Sequence, residues 1–372
     1  MTPRQPVLNA AAVVGALEGF FRTYEAPLDS PRQCSYDRAL MVTLRDIAKQ
    51  ADVSTATVSN VLNDSLYVSP QLRARVMAAV HELNYRPNAV ARSLRLQRSQ
   101  TIGMVVPDIT NPFFPAVVRG AEDVLTKAGH TLIIGNSDND VSKENNYYRT
   151  FLERRIDGLL TVATSDVAPP ALNLLRDRAV PVVYVDRFHA DMPADIVISD
   201  NVAGARACVR HLISTGRRQI ALITGPLHLS NARERLAGYR QALKEAGVTE
   251  KRSLIREGNF DTQSGFEQTR ALLAARARPQ AIFASSAQMA FGALRALEEA
   301  GLSCPADMAL ACFDQLDFFE LLRPKLTCVA TQSYDLGARG AALILERLSG
   351  KFAGKPVRCV LPAKLIVGQS TV

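Results

Sequence analysis

The spacing of apolar positions along this chain changes at about residue 100. Between residues 43 and 83 the spacing is helical. Leu44, Ile47, Ala48 and Ala51 recur at i, i+3, i+4 and i+7, the buried stripe of one short helix. Ser54 then offers a hydroxyl to the free N–H groups of a second helix, which carries Val58, Val61 and Leu62 inward. Asn63-Asp64-Ser65 stops it. Ser69-Pro70 puts a capping hydroxyl before a proline, whose missing N–H does no harm at a first helical position. Leu72, Val76, Ala79, Val80 and Leu83 make the third stripe. Two short helices joined by a tight turn, with a third completing the core, predict a helix-turn-helix unit.

From Thr101 onward, short apolar runs alternate with helical patterns. The runs cover 102–106, 131–134, 158–162 and 182–185, with helices predicted over 116–128, 142–154 and 170–178. After Asp200-Asn201 the alternation restarts, with runs at 220–224, 253–256, 281–284 and 309–313. Strands that are apolar throughout are buried on both faces, so an α/β fold with parallel sheets follows. Two successive sets predict two lobes. Such sheets take ligands at the carboxyl ends of their strands, here in the cleft between the lobes. The tail at 362–367 reads as a last strand, and no heptad repeat follows it for a tetramerising coil, so a dimer is expected.

Composition narrows the function. The 372 residues allow two or three domains, and 47% hydrophobic with 22% charged residues is globular. The formal net charge is +8, and residues 42–99 hold eight basic and four acidic side chains, half of that excess. This is a modest footprint for a polyanion partner. No apolar run approaches the ~20 residues of a membrane span, and Glu18 breaks the most signal-like stretch, 10–21. The six cysteines (Cys34, Cys208, Cys304, Cys312, Cys328, Cys359) are scattered, which fits reduced thiols in a cytoplasm. His81, His130, His189, His211 and His228 form no spaced ligand pair, although His228 falls in a loop near the expected cleft. Phosphate-loop, dinucleotide, nucleophile-elbow and zinc-protease motifs are missing from the sequence. No enzyme, metal or cofactor is therefore expected. Residues 1–41 hold four prolines and no sustained period, so a disordered leader is expected, with Met41 as the start of translation.

The chemistry-bearing positions begin in the second helix. Thr55, Ala56, Ser59 and Asn60 face outward between Val58 and Val61. A major groove admits such a helix, hydroxyls reach phosphates or base edges, and Asn can pair bidentately with adenine. From spacing alone, a three-helix unit with a solvated polar face remains the alternative. Val42-Thr43-Leu44-Arg45-Asp46-Ile47-Ala48, Val53-Ser54-Thr55-Ala56-Thr57-Val58-Ser59 and Tyr85-Arg86-Pro87-Asn88-Ala89-Val90-Ala91-Arg92-Ser93-Leu94 follow in order. Together with Asn111-Pro112-Phe113-Phe114, Arg235-Leu236-Ala237-Gly238-Tyr239 and Leu322-Arg323-Pro324-Lys325-Leu326-Thr327, they resemble the lactose-repressor (LacI) family of bacterial transcription regulators. The resemblance spans about residues 42–372.

It implies a three-helix DNA-binding domain plus hinge helix, then a two-lobe core like the periplasmic binding proteins. The expected domains are 42–88 for DNA binding, 89–99 for hinge helix and linker, 100–199 with 331–355 for the first lobe, and 200–330 with 356–372 for the second. On DNA the resemblance assigns Thr43 and Ser54 to phosphates, and Thr55, Ala56 and Asn60 to base edges. Thr57, Ser59 and Asn88 complete that face, Ala91 would touch the minor groove, and Leu94 would wedge into a flexible step. In the cleft it points to Asn111, Phe113, Asn231, Arg235, Phe260, Ser286 and Asp314. Arginine offers a planar fork of donors, phenylalanine a flat apolar wall, and aspartate an acceptor for hydroxyls. Two departures stand out. Asp52 occupies the turn position where the family usually has glycine, and Ser286-Ala287 stands where Asn-Asp is common.

These readings converge on a homodimeric repressor of a pseudo-palindromic operator in double-stranded DNA. Its affinity would be controlled by a sugar-like effector. The alternatives are a purine-type corepressor, or a sugar-binding protein or hydrolase of the same fold with no role on DNA.

Overall fold

The computed structural model describes residues 42–62, 68–85, 98–276, 278–352 and 354–372. The expected leader, 1–41, and the hinge positions 89–97 lie outside the described residues. The chain divides into two units, 1–88 and 89–372.

The first unit contains α1 (Leu44–Gln50), α2 (Thr55–Leu62) and α3 (Pro70–Glu82). Each contributes one fully buried side chain, Ile47, Val58 and Val76, to a core shared with Ala48, Ala51, Val61 and Ala79. Ser69 caps α3, its hydroxyl accepting from the Leu72 N–H, with Pro70 at the first helical position. Between α1 and α2, Asp52 takes φ 49°, the left-handed conformation that a glycine adopts without strain. Arg75 of α3 pins this turn by donating to the Asp52 carbonyl at 2.8 Å. A left-handed non-glycine residue costs about 1–2 kcal/mol, partly offset by glycine's greater chain entropy. Asp52→Gly is therefore expected to stabilise this unit by about 0.5–1 kcal/mol in urea melts followed by helical circular dichroism. A lower midpoint would mean that the Asp52 side chain itself contributes.

The second unit contains two six-stranded sheets. One has the order β11-β5-β4-β3-β1-β2, from β1 (Thr101–Val106), β2 (Thr131–Asn136), β3 (Gly158–Thr161), β4 (Val182–Val185), β5 (Asp195–Ser199) and β11 (Arg358–Leu361). The other has the order β12-β10-β9-β8-β6-β7, from β6 (Ile220–Thr224), β7 (Ile255–Glu257), β8 (Ala281–Ala284), β9 (Ala309–Phe313), β10 (Thr327–Ala330) and β12 (Lys364–Ile366). All pairings are parallel except β10 with β12.

Helices cover both faces of each sheet, which lets the strands be apolar throughout. On the first sheet α4 (Phe113–Lys127) and α11 (Ser333–Leu348) bury Val117, Leu336 and Ile344. Its other face takes Tyr148, Phe151 and Leu172 from α5 (Val141–Glu153) and α6 (Pro170–Asp177). The second sheet packs α7 (Asn201–Ser214) and α8 (Ser230–Glu245) on one side, and α9 (Thr262–Leu273) and α10 (Ala287–Glu299) on the other.

The lobe boundary expected at 355/356 is corrected here. β11 returns to the first sheet, Arg358 opposite Ile196, so the second lobe resumes only after Leu361. The chain thus crosses between lobes after β5, after β10 and after β11. The crossovers are tied together, the Asp200 N–H donating to the Leu361 carbonyl at 2.8 Å and Gln332 Nε2 to the Pro362 carbonyl at 3.0 Å.

Candidate functional site

On α2, Thr55, Ala56 and Asn60 are exposed, and Thr57 and Ser59 are half-buried. Ser54 Oγ accepts from the Thr57 N–H at 3.1 Å and lies 3.0 Å from Thr57 Oγ1, so this pair caps the helix. Before α1, the Thr43 N–H and hydroxyl both donate to Asp46, at 2.8 and 2.7 Å. Those bonds hold the Asp46 carboxyl below its ordinary value. A phosphate reaching Thr43 must therefore draw the hydroxyl away from a neighbouring carboxylate. Asn88, Ala91 and Leu94 lie outside the described residues.

In the second unit a cleft of about 550 Å³ opens between the lobes. Every lining segment leaves the carboxyl end of a strand: Asp108, Thr110, Asn111 and Phe114 follow β1, Asp138 and Asn139 follow β2, Thr164 follows β3, and Arg187 follows β4. From the second lobe come Pro226, His228 and Leu229 after β6, and Asn259, Phe260 and Asp261 after β7. Parallel strands aim their terminal groups here, so the topology places the site. At the rim Arg233 of α8 grips Asp166 of the first lobe with both arms at 2.8 Å.

Phe260 sits at φ 63°, and its ring lies 5.2 Å from the guanidinium of Arg187 and 5.8 Å from that of Arg235, both buried. The ring occupies space left by Gly225, where an added Cβ would come within 2.1 Å of it. Gly225→Ala is expected to displace the ring and cost about 1–3 kcal/mol in urea unfolding, as overpacking does. Unchanged stability would show that Phe260 can move aside freely.

Two buried acid–base pairs face each other behind this ring. Asp186 lies 3.6 Å from Arg187, and Asp314 lies 3.7 Å from Arg235. Arg235 Nη1 also donates to the Ser285 carbonyl at 2.6 Å, and its guanidinium lies 3.8 Å over the Phe313 ring. Asn231 Nδ2 donates to Asp186 Oδ2 at 3.0 Å, and Thr331 Oγ1 to Asp314 Oδ1 at 3.2 Å. Burial raises both carboxyls above their ordinary value, against the pull of the neighbouring arginines. Asp186 and Asp314 sit at φ 64° and 70°, strained backbone of the kind found at binding sites. Among the described residues nine buried side-chain atoms lack a hydrogen-bond partner, and three of them belong to this group: Asp186 Oδ1, Arg187 Nε and Asn231 Oδ1. They present one donor and two acceptors.

Of the seven expected cleft residues, Asn111 and Phe260 line the cavity, and Asn231, Arg235 and Asp314 are buried directly behind it. Phe113 does not line it. Its ring is part of the core, edge-on to Phe114 at 5.1 Å, and Phe114 faces the cleft instead. Ser286 is likewise outside the lining, because its hydroxyl caps α10 by accepting from the Met289 N–H. Sequence reasoning missed Asp186 and Arg187. The signal was a charged pair directly after the apolar run 182–185, where a strand's carboxyl end should deliver site residues.

A helix-turn-helix unit joined to a two-lobed core with a polar cleft defines a DNA-binding regulator with a ligand-binding domain. Residues 43–88 match the model of bacterial regulatory proteins of the lacI family, and residues 209–371 match a periplasmic binding protein-like domain. The ribose operon repressor of Escherichia coli (strain K12) is 37% identical over 83% of this chain and 94% of its own length. The HTH-type transcriptional repressor PurR of Photobacterium profundum is also 37% identical, over 84% and 93%. The chain belongs to the lacI family of bacterial regulatory proteins. The Lac repressor dimer bound to operator and the anti-inducer ONPF matches with a TM-score of 0.79 at 29% identity, over 89% of this chain and 99% of that one. A family regulator from Enterococcus faecium with bound ribose matches at 0.66 and 31%, over 73% and 98%. Among the described residues no helix is long and apolar enough to cross a membrane.

Proposed function

We propose that this regulator is a cytoplasmic, homodimeric repressor that reads a pseudo-palindromic operator through Thr55, Ala56 and Asn60 and takes a pentose such as ribose in its cleft. The observation that carries the ligand class is the trio of buried atoms without a hydrogen-bond partner, Asp186 Oδ1, Arg187 Nε and Asn231 Oδ1, grouped around Arg187, whose guanidinium lies 5.2 Å from the Phe260 ring. A hydroxyl both donates and accepts, so neighbouring hydroxyls of one sugar can satisfy all three while its apolar face lies on phenylalanine. Leaving such groups unmatched is costly, which makes the site selective for polyols. The site binds rather than turns over its ligand. Asp186 and Asp314 each lie beside an arginine, at 3.6 and 3.7 Å, and in their ionised forms serve as hydrogen-bond acceptors. Ligand would stabilise one angle between the lobes and so change operator affinity, a coupling of about 5–150-fold.

The name PurR among relatives of equal identity favours a second reading, a purine stacked on the same ring. One experiment separates the readings. Sequences are first selected from a random duplex pool at ~0.15 M salt, since affinity depends steeply on ions. Binding to the enriched operator is then titrated with D-ribose and with hypoxanthine. A response to ribose alone supports the pentose, and a response to hypoxanthine alone replaces it with the purine. Sugar binding without any enriched DNA would sink the repressor role.

A further inference from the structure

A hydrogen-bond chain leads away from the back of the cleft. Arg235 Nε donates to Asn201 Oδ1 at 2.9 Å, Asn201 Nδ2 donates to Glu234 Oε2 at 2.8 Å, and Glu234 Oε1 accepts from Arg358 Nη2 at 2.8 Å. Asn201 is 1% exposed and opens α7 immediately after the first lobe crossover, at Asp200. Arg358 opens β11 on the opposite lobe, where its guanidinium also lies 5.2 Å over the Phe188 ring, one residue beyond Arg187. The chain therefore begins at the cleft, passes a crossover and ends on the other lobe. Each link has a fixed direction. Position 201 must accept from a guanidinium on one side and donate to a carboxylate on the other, and a side-chain amide does both. Being buried, that amide cannot turn without losing both bonds, so the place of Arg235 and the angle between the lobes vary together.

We propose that Asn201 is the positioning residue that couples the cleft to the lobe crossover, with Glu234 and Arg358 carrying the link to the opposite lobe. The proposal rests on the reading of the cleft as the ligand site. Asn201→Asp keeps an acceptor toward Arg235 but sets a carboxylate oxygen against Glu234. Asn201→Asp combined with Glu234→Gln restores a donor between the two positions and leaves their summed charge as it was.

The test uses the full-length dimer, its selected operator and D-ribose. For Asn201→Asp, D-ribose still binds in calorimetry, but the ratio of operator affinities with and without ribose falls by at least about fivefold, toward one. In the double variant the ratio returns to within about threefold of the parent, a recovery that a purely space-filling role would not give. A parental ratio in the single variant, or no recovery in the double, overturns the proposal. Hydrogen exchange of the segments 199–203 and 358–361 without ligand supplies a second readout. It speeds up in Asn201→Asp and slows again in the double variant, and unchanged exchange overturns the link. If the parent ignores D-ribose while exchange behaves this way, the ligand assignment fails and the cross-lobe link stands.

Discussion

Replacing Arg235 with leucine is expected to abolish the sugar response and to lower stability by about 3–5 kcal/mol. The side chain is 3% exposed and holds four partners: Asn201 Oδ1, the Ser285 carbonyl, the Asp314 carboxylate and the face of Phe313. Leucine can recover part of the packing but none of the charge. Asp314 would then be a buried carboxyl whose nearest cation has gone, and removing one partner of a buried pair costs far more than the pair contributes. Asp314→Asn in the same background should recover part of the loss, because a neutral amide is cheaper to bury than an unpaired carboxylate. Urea melts of the four proteins, with ribose calorimetry alongside, measure both effects. If the single variant loses ligand but no stability, Arg235 serves the ligand alone and Asp314 has another source of compensation.

Most of the architecture was legible from local pattern because local physics decides it. The stripe ending in Leu83 and the Ser69-Pro70 start give α3 without knowledge of its neighbours, and the run 182–185 is β4. What local pattern could not supply was partnership at a distance. β11 is only four residues long, begins with an exposed arginine, and is separated from β5 by more than 150 residues. Nothing in Arg358–Leu361 says that it crosses back to the first sheet, so the lobe boundary was misplaced. The two phenylalanines of Asn111-Pro112-Phe113-Phe114 differ by one helical step, about 100° of rotation, and only the finished packing decides which ring faces the cleft. Ser286 is a different kind of miss. A serine three residues before Met289 at a helix start is an N-cap pattern, and its hydroxyl was available to be read as structural.

Acidification is expected to move ligand affinity and stability in opposite directions through the same two carboxyls. Burial raises Asp186 and Asp314 above the ordinary 3.8, so each binds its proton more tightly in the folded protein than in the unfolded chain. Their contribution to stability is therefore fully present below 3.8 and is lost as pH rises through the folded values. In the proposed complex sugar hydroxyls donate to the ionised forms, so affinity should behave the other way. It falls as pH drops through the raised values, by up to about tenfold per pH unit for each proton taken up. Exposed carboxyls such as Asp46, Asp138 and Glu320 are lowered by their own hydrogen bonds and push total stability in the opposite sense. The informative quantity is thus the difference between the parent and Asp314→Asn, measured between pH 4 and 7 by urea unfolding and by D-ribose calorimetry. Both curves should be flatter in the variant. A pH-independent affinity combined with the expected stability slope would mean that the carboxyls are buried as described but that the ligand takes its hydrogen bonds elsewhere in the cleft.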